Sequence, residues 1–246
     1  MSEPSSAAEQ VLAAAEAAGA ADDLAERLTD ALCAALPVDE VTMSLYTDTP
    51  DRMLLHASGP TAERLEELQF EVGEGPCVTA AATGRPVIVP DLHGRLTPWP
   101  VFGAEARRLL SEVGSVYAFP LRDGGHSLGS VNMLRFSPWD PDDKTVLEGE
   151  RSVRATAVAL LASPSPRAWA PSADLDRHWG ETHRAAGVLA EHDGISVGEA
   201  LARLRADAFV SGRPLPELAG DTLRRLIGDG GPPPDGRGPY GKGPYG

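Results

Sequence analysis

Residues 163–173 read SPSPRAWAPSA, and this Pro/Ser-rich break constrains the fold more than any other feature of the chain. Proline removes a backbone donor and is excluded from helix and strand interiors. Such a segment closes one folded unit before the next begins. Ahead of it, alternating β-prone runs are interspersed with helical ones. Behind it, only helical periodicity remains, until glycine and proline take over. The expected order is an N-terminal helical extension (1–19), an α+β domain (20–163), a linker (164–173), a small three-helix bundle (174–228) and a disordered tail (229–246). The tail repeats GPYG at Gly238–Gly241 and Gly243–Gly246 and has no core to bury.

A chain of 246 residues can bury one or two cores. Its net charge of −14 is unevenly spread. Residues 1–163 hold 12 Lys/Arg against 25 Asp/Glu, whereas residues 164–246 hold 10 against 11. The first unit therefore repels nucleic acid, and the second does not. The two cysteines, Cys33 and Cys77, have no CxxC spacing, which argues against a zinc site or a disulfide framework. His56, His93 and His126 are scattered over a strand, a loop and a turn, so no metal and no cofactor are expected. The start, MSEPSSAAEQ, is acidic and polar, and no run of 18 apolar residues occurs. A soluble, cytoplasmic protein without a membrane partner is expected.

Local patterns place the elements. Helices are expected at Gln10–Ala21 and Ala21–Leu36, the second ended by Pro37. Glu40–Thr47 and Arg52–Ser58 read as strands joined through TDTPD. A short helix at Thr61–Leu68 precedes FEVGEGPCVTAAATGRPVIVPDL, whose glycines and Pro76 form a tight loop seating a helix at Cys77–Thr83. A strand at Pro86–Val89 and a helix at Phe102–Ser111 follow. SVYAFPL and SLGSVNML then pair across RDGGH, and a long helix at Asp142–Leu161 closes the domain. GEGPC lacks the Lys-Ser/Thr ending of a phosphate loop. Cys77 is read as a small core residue, with a redox thiol as the alternative. Trp99, Phe102, Tyr117 and Phe119, with Cys77, are the candidates for a ligand pocket between sheet and helices; the alternative is plain core.

Three landmarks in this order, VGEGPCVTAAATGRPVIVPDL, WPVFGAEA and GSVYAFPLRDGGHSLGSVNMLR, resemble GAF domains of actinobacterial signalling proteins over roughly residues 20–163. The resemblance implies a sensor of a small molecule or of redox state. GAF-fold methionine sulfoxide reductases are an alternative, but their chemistry needs a cysteine pair, and Cys33 lies far along the chain from Cys77. The Asn-Lys-Phe-Asp-Glu set of cyclic-nucleotide GAF domains is absent. No Ser-His-Asp cluster or carboxylate pair stands out, so the chain is not expected to be an enzyme.

In the second unit, Asp174 is a natural N-cap for a helix running to about His192, and Gly194 ends it. Ser196-Val-Gly-Glu199 is a capping box opening ALARLRADAF, and Leu215–Ile227 is the third helix. Ala185, Ala186, Gly187, Ala200 and Ala208 are small enough for close helix packing. The pattern Ala185-Ala186-Gly187-Val188-Leu189, then Glu199-Ala200, Leu204-Arg205, Ala208, Arg213 and Leu218-Ala219, resembles the RNA-binding ANTAR domain of antitermination regulators. Ala186 stands where that family usually has Lys. Residues 174–227 carry 7 Arg, no Lys and 9 Asp/Glu. The resemblance implies binding to hairpin loops of nascent RNA by a homodimer, with Arg184, Arg205, Arg213, Arg224 and Arg225 as contact candidates. The alternative is a protein-interaction module that has lost RNA binding, because phosphate affinity rests on a few cations.

Overall fold

A computed structural model describes residues 5–17, 23–46, 52–94, 96–165, 168 and 173–228. The TDTPD turn, most of the linker, the end of the N-terminal extension and the GPYG tail lie outside the described residues.

The chain opens with α1 (Ala7–Glu16) and α2 (Leu24–Ala35). Ser6 and Glu9 form a capping box that starts α1 three residues earlier than its alanine run suggests. β1 (Glu40–Tyr46), β2 (Arg52–Ala57), β3 (Val87–Val89), β4 (Ser115–Asp123) and β5 (His126–Arg135) make one antiparallel sheet in the order β2-β1-β5-β4-β3. Between β2 and β4 lie α3 (Pro60–Val72), α4 (Pro76–Thr83) and α5 (Pro100–Leu109), and α6 (Asp143–Ala162) follows β5. α3 is longer than its expected span. Pro60 occupies the first turn, where no donor is needed, and Gly73 ends the helix at φ 71°.

Strand alternation sorts the sheet into two faces. Val41, Met43, Leu45, Tyr117, Phe119, Leu121, Val131 and Met133 pack with α1, α2 and α6. Val116 and Leu134 face the other way, into a core with Leu65, Leu68 and Phe102 from α3 and α5. Ala118 meets Cys77 and Ala80 of α4 on that second side. The first unit is thus a three-layer α+β sandwich.

The second unit contains α7 (Ala173–Asp193), α8 (Val197–Ser211) and α9 (Leu215–Ile227). α7 already includes Asp174, so that residue is not its N-cap. The Ser196/Glu199 capping box forms as read, with Glu199 N–H to Ser196 Oγ at 3.2 Å and Ser196 N–H to Glu199 Oε2 at 2.9 Å. Ala185, Ala186, Ala200 and Ala219 are fully buried between the helices. Gly187 is not: a Cβ there would meet nothing within 4 Å, so helix packing does not require this glycine.

The two units share a core. Leu54 of β2 and Phe70 of α3 are buried in the same cluster as Trp179, Leu189, Leu204 and Leu215. Among the described residues no helix is long and apolar enough to cross a membrane.

Candidate functional site

The polar residues of β1 and β5 stand out because they face helices rather than solvent. Thr42, Ser44, Ser130 and Asn132 are all buried, alternating with Met43, Leu45, Val131 and Met133 on the opposite face. They meet Glu66 of α3 and Arg52 of β2. Glu66 is fully buried, and its carboxylate accepts from Thr42 Oγ1 at 3.2 Å, from Asn132 Nδ2 at 2.6 Å, from Ser44 Oγ and from Arg52 Nη2. Arg52 is 4% exposed and ion-paired to Glu66. Burial disfavours the Arg52 charge, but Glu66 and the other groups around it hold its pKa above the ordinary guanidinium value.

This polar chamber is a packed cluster of buried side chains, and it is not internally satisfied. Arg52 Nε and Nη1, Gln69 Nε2, Ser130 Oγ and Asn132 Oδ1 are buried with no hydrogen-bond partner among the described residues. A buried polar atom left unpaired costs about 1–3 kcal/mol. A core built for stability alone would not collect so many. Gln69 uses its other end, Oε1, to accept the Cys77 N–H at 2.8 Å across Gly75. Gly75 has φ 138°, and a Cβ there would lie 2.7 Å from that oxygen, so the loop requires glycine. Glu74 of the same loop accepts from Val101 N–H at 2.7 Å and Phe102 N–H at 2.9 Å, capping α5. GEGPC is therefore a structural turn, seating α4 and α5 around the chamber.

Of the five pocket candidates, only Cys77 borders this chamber. Burial pushes its thiol up to about 12, against the opposing pull of Arg52, so it stays protonated at neutral pH. Trp99 and Phe102 pack edge-on against each other at 6.0 Å, and Trp99 Nε1 donates to Thr79 Oγ1 at 2.8 Å. Tyr117 and Phe119 lie across the sheet, lining a 20 Å³ cavity with Ile88, Met133 and Trp139. The five do not form one pocket, because odd and even positions of β4 face opposite layers. Cys33 packs on the α2 side of the sheet, away from Cys77. Among the described residues no group of three or more His, Cys, Asp or Glu gathers where it could hold a metal.

The bundle arginines are also dispersed. Arg184 and Arg225 are exposed, with no carboxylate in ion-pairing reach among the described residues. Arg213 pairs with Asp221 at 2.7 Å and Glu217 at 3.2 Å, and Arg224 pairs with the same Asp221. Hydrogen bonds from Arg213 and Arg224 hold the Asp221 pKa below the usual carboxylate range. Arg205 is turned inward, donating to the Phe70 carbonyl from Nε at 2.9 Å and Nη2 at 2.6 Å. Ala186 is fully buried and belongs to the packed interior of the bundle.

Sequence reasoning missed Arg52, Glu66, Asn132, Phe70 and Trp179. Only Asn132 carried a signal: a strand flanked by helices on both faces should be apolar throughout, yet TMSLY and SVNML set Thr42, Ser44, Ser130 and Asn132 at alternate positions.

The profile of the GAF domain family matches residues 20–160. No curated protein matches the chain. Among solved structures it is similar to the GAF domain of a Coxiella burnetii phosphoenolpyruvate-protein phosphotransferase, at 18% identity and TM-score 0.49 over 63% of this chain and 90% of that one. It is also similar to a Burkholderia vietnamiensis GAF sensor protein, at 19% identity and TM-score 0.46 over 61% and 89%. A third is the free methionine-R-sulfoxide reductase of Neisseria meningitidis, at 16% identity and TM-score 0.47 over 62% and 85%. The expectation that the chain is not an enzyme is corrected by this last similarity: GAF-fold structures include reductases, so the fold does not exclude catalysis.

Proposed function

The chain belongs to the GAF domain family, and on that premise we propose that it is a regulator in which a small-molecule-sensing GAF domain controls an RNA-binding ANTAR-type bundle acting in transcription antitermination. A GAF domain suggests signal sensing. The observation that carries the reading is the continuous path from Glu66 in the polar chamber, through Arg52, to the Trp179 ring of α7 at 5.7 Å. The unpaired donors and acceptors of this buried cluster are the groups a small polar ligand would engage. The protonated, enclosed Cys77 favours a bound molecule over a thiol switch as the signal. The ANTAR resemblance of residues 174–227 supplies the output, with two bundles of a homodimer per RNA. Arg184 and Arg225 are the cations best placed to meet phosphates.

The test is sequencing of RNA crosslinked to the full chain in growing cells, beside an Arg184→Glu/Arg225→Glu variant. Hairpins enriched upstream of a few operons and lost in the variant support the reading. No enrichment over background refutes the RNA output.

A second reading, a protein-interaction module, is favoured by Phe209 and Val210, 73% and 85% exposed near the end of α8, and by the neutralised Arg213 and Arg224. Binding of a partner through an apolar face is insensitive to salt, whereas phosphate contacts weaken steeply with it.

A further inference from the structure

A helix end leaves its last carbonyls without intrahelical partners. At the end of α3, Gly73 N–H bonds the Gln69 carbonyl. The next carbonyl, that of Phe70, accepts both hydrogen bonds of Arg205, which reaches over from α8. A cation at this end of a helix is favoured by the helix dipole. Beside it, the Phe70 ring stacks on Trp179 with centroids 4.4 Å apart and planes 9° from parallel. Arg205 lies 5.4 Å from the Phe70 centroid, and Arg52 lies 5.7 Å from that of Trp179. Arg52, Trp179, Phe70 and Arg205 thus form a continuous run linking the chamber to the helix that carries the Leu204-Arg205 motif.

The two ends of this run differ. Arg52 has Glu66. Arg205 has a carbonyl and no carboxylate in ion-pairing reach among the described residues. Burial, reinforced by the like charge of Arg52, lowers the Arg205 pKa to about 10. The docked guanidinium is held by the Phe70 ring and a helix end against the cost of burying it near a like charge.

The geometry points to an autoinhibitory latch: in the closed form α3 withholds Arg205 from RNA, and loss of the Phe70–Trp179 stack releases it. The inference rests on the RNA-binding reading of the bundle and supplies its regulation. The sensor end is Arg52, since any ligand that re-pairs Arg52 or Glu66 moves the cation against the Trp179 ring.

Arginine footprinting with phenylglyoxal, resolved by mass spectrometry on the full chain, tests the latch. Exposed Arg184 and Arg225 serve as internal references. In the wild type, Arg205 should react about tenfold more slowly than these two. Phe70→Leu keeps an apolar side chain in the shared core and removes the stack. It leaves the Phe70 carbonyl in place but removes the ring contacts, and should raise Arg205 reactivity and affinity for an RNA hairpin several-fold. Trp179→Leu removes the stack from the other side and should act alike; far-ultraviolet circular dichroism checks that both variants remain folded. Equal reactivity of all three arginines in the wild type overturns the latch. So does release of Arg205 with no gain in RNA affinity in a chain that binds RNA. Slow Arg205 labelling, released by Phe70→Leu in a chain that binds no RNA in either form, overturns the output reading and the inhibition with it, while retaining the docking.

Discussion

Glu66→Ala is the perturbation whose consequence follows most directly from the chamber's geometry. The carboxylate is fully buried and accepts from four side chains, one of them the 4%-exposed Arg52. Removing it leaves a buried guanidinium without a counter-charge and the Thr42 and Ser44 hydroxyls without an acceptor, while Asn132 Nδ2 keeps Thr42 Oγ1 at 3.2 Å. Truncating one partner of a buried pair costs about 3–5 kcal/mol, because the remaining charge is stranded. A domain's whole stability is about 5–15 kcal/mol, so the variant should be marginal. Its melting temperature should fall by roughly 6–20 °C for a chain of this size. Urea unfolding monitored by circular dichroism gives the free energy from the midpoint and slope. Arg64→Ala is the control: it breaks an ion pair with Glu112 whose side chains are 54% and 36% exposed, and should cost no more than about 1 kcal/mol. The double replacement Arg52→Met/Glu66→Leu should recover part of the loss, since no charge is then stranded. A Glu66→Ala loss below about 1 kcal/mol, or one equal to that of Arg64→Ala, would refute the description of the chamber.

Further outcomes follow from local chemistry. Ser196→Ala removes the α8 cap and should destabilise the bundle by about 1 kcal/mol, read as a lower urea midpoint. The Cys77 thiol, raised to about 12 when folded and near 8.5 unfolded, contributes fully to stability below about pH 8.5. That contribution is lost as pH rises towards 12, because ionisation favours the unfolded chain. Wild type should therefore lose stability faster than Cys77→Ala between pH 9 and pH 11 in urea titrations, and parallel curves would contradict the burial. Asp221→Asn combined with Glu217→Gln releases Arg213 and Arg224 from their carboxylates. It should raise RNA affinity and steepen the salt slope by about 1–2, measured by fluorescence anisotropy.

Much of the fold was legible because local signals agreed with the final packing. Ser196 and Glu199 fix the start of α8, and Leu215–Ile227 emerges with the boundaries its periodicity gives. The β4–β5 hairpin forms across the glycines of RDGGH. The site was less legible. Tyr117 and Phe119 were grouped with Trp99 and Phe102 by residue type, but strand alternation sends them to the other layer. Arg205 looked like a surface cation because its partner, the carbonyl of Phe70, belongs to the backbone of a distant helix end. The Phe70–Trp179 stack joins residues on either side of the Pro/Ser break. No local pattern records such a pairing.

The most direct test of the account is the salt dependence of RNA-hairpin binding by the full chain. Arg184 and Arg225 from each of two bundles should release about four counterions, so log K should fall against log salt with a slope of about −3. Binding that is absent, or that stays flat as salt rises, would contradict an RNA output and leave the α8 apolar face as the route to a protein partner.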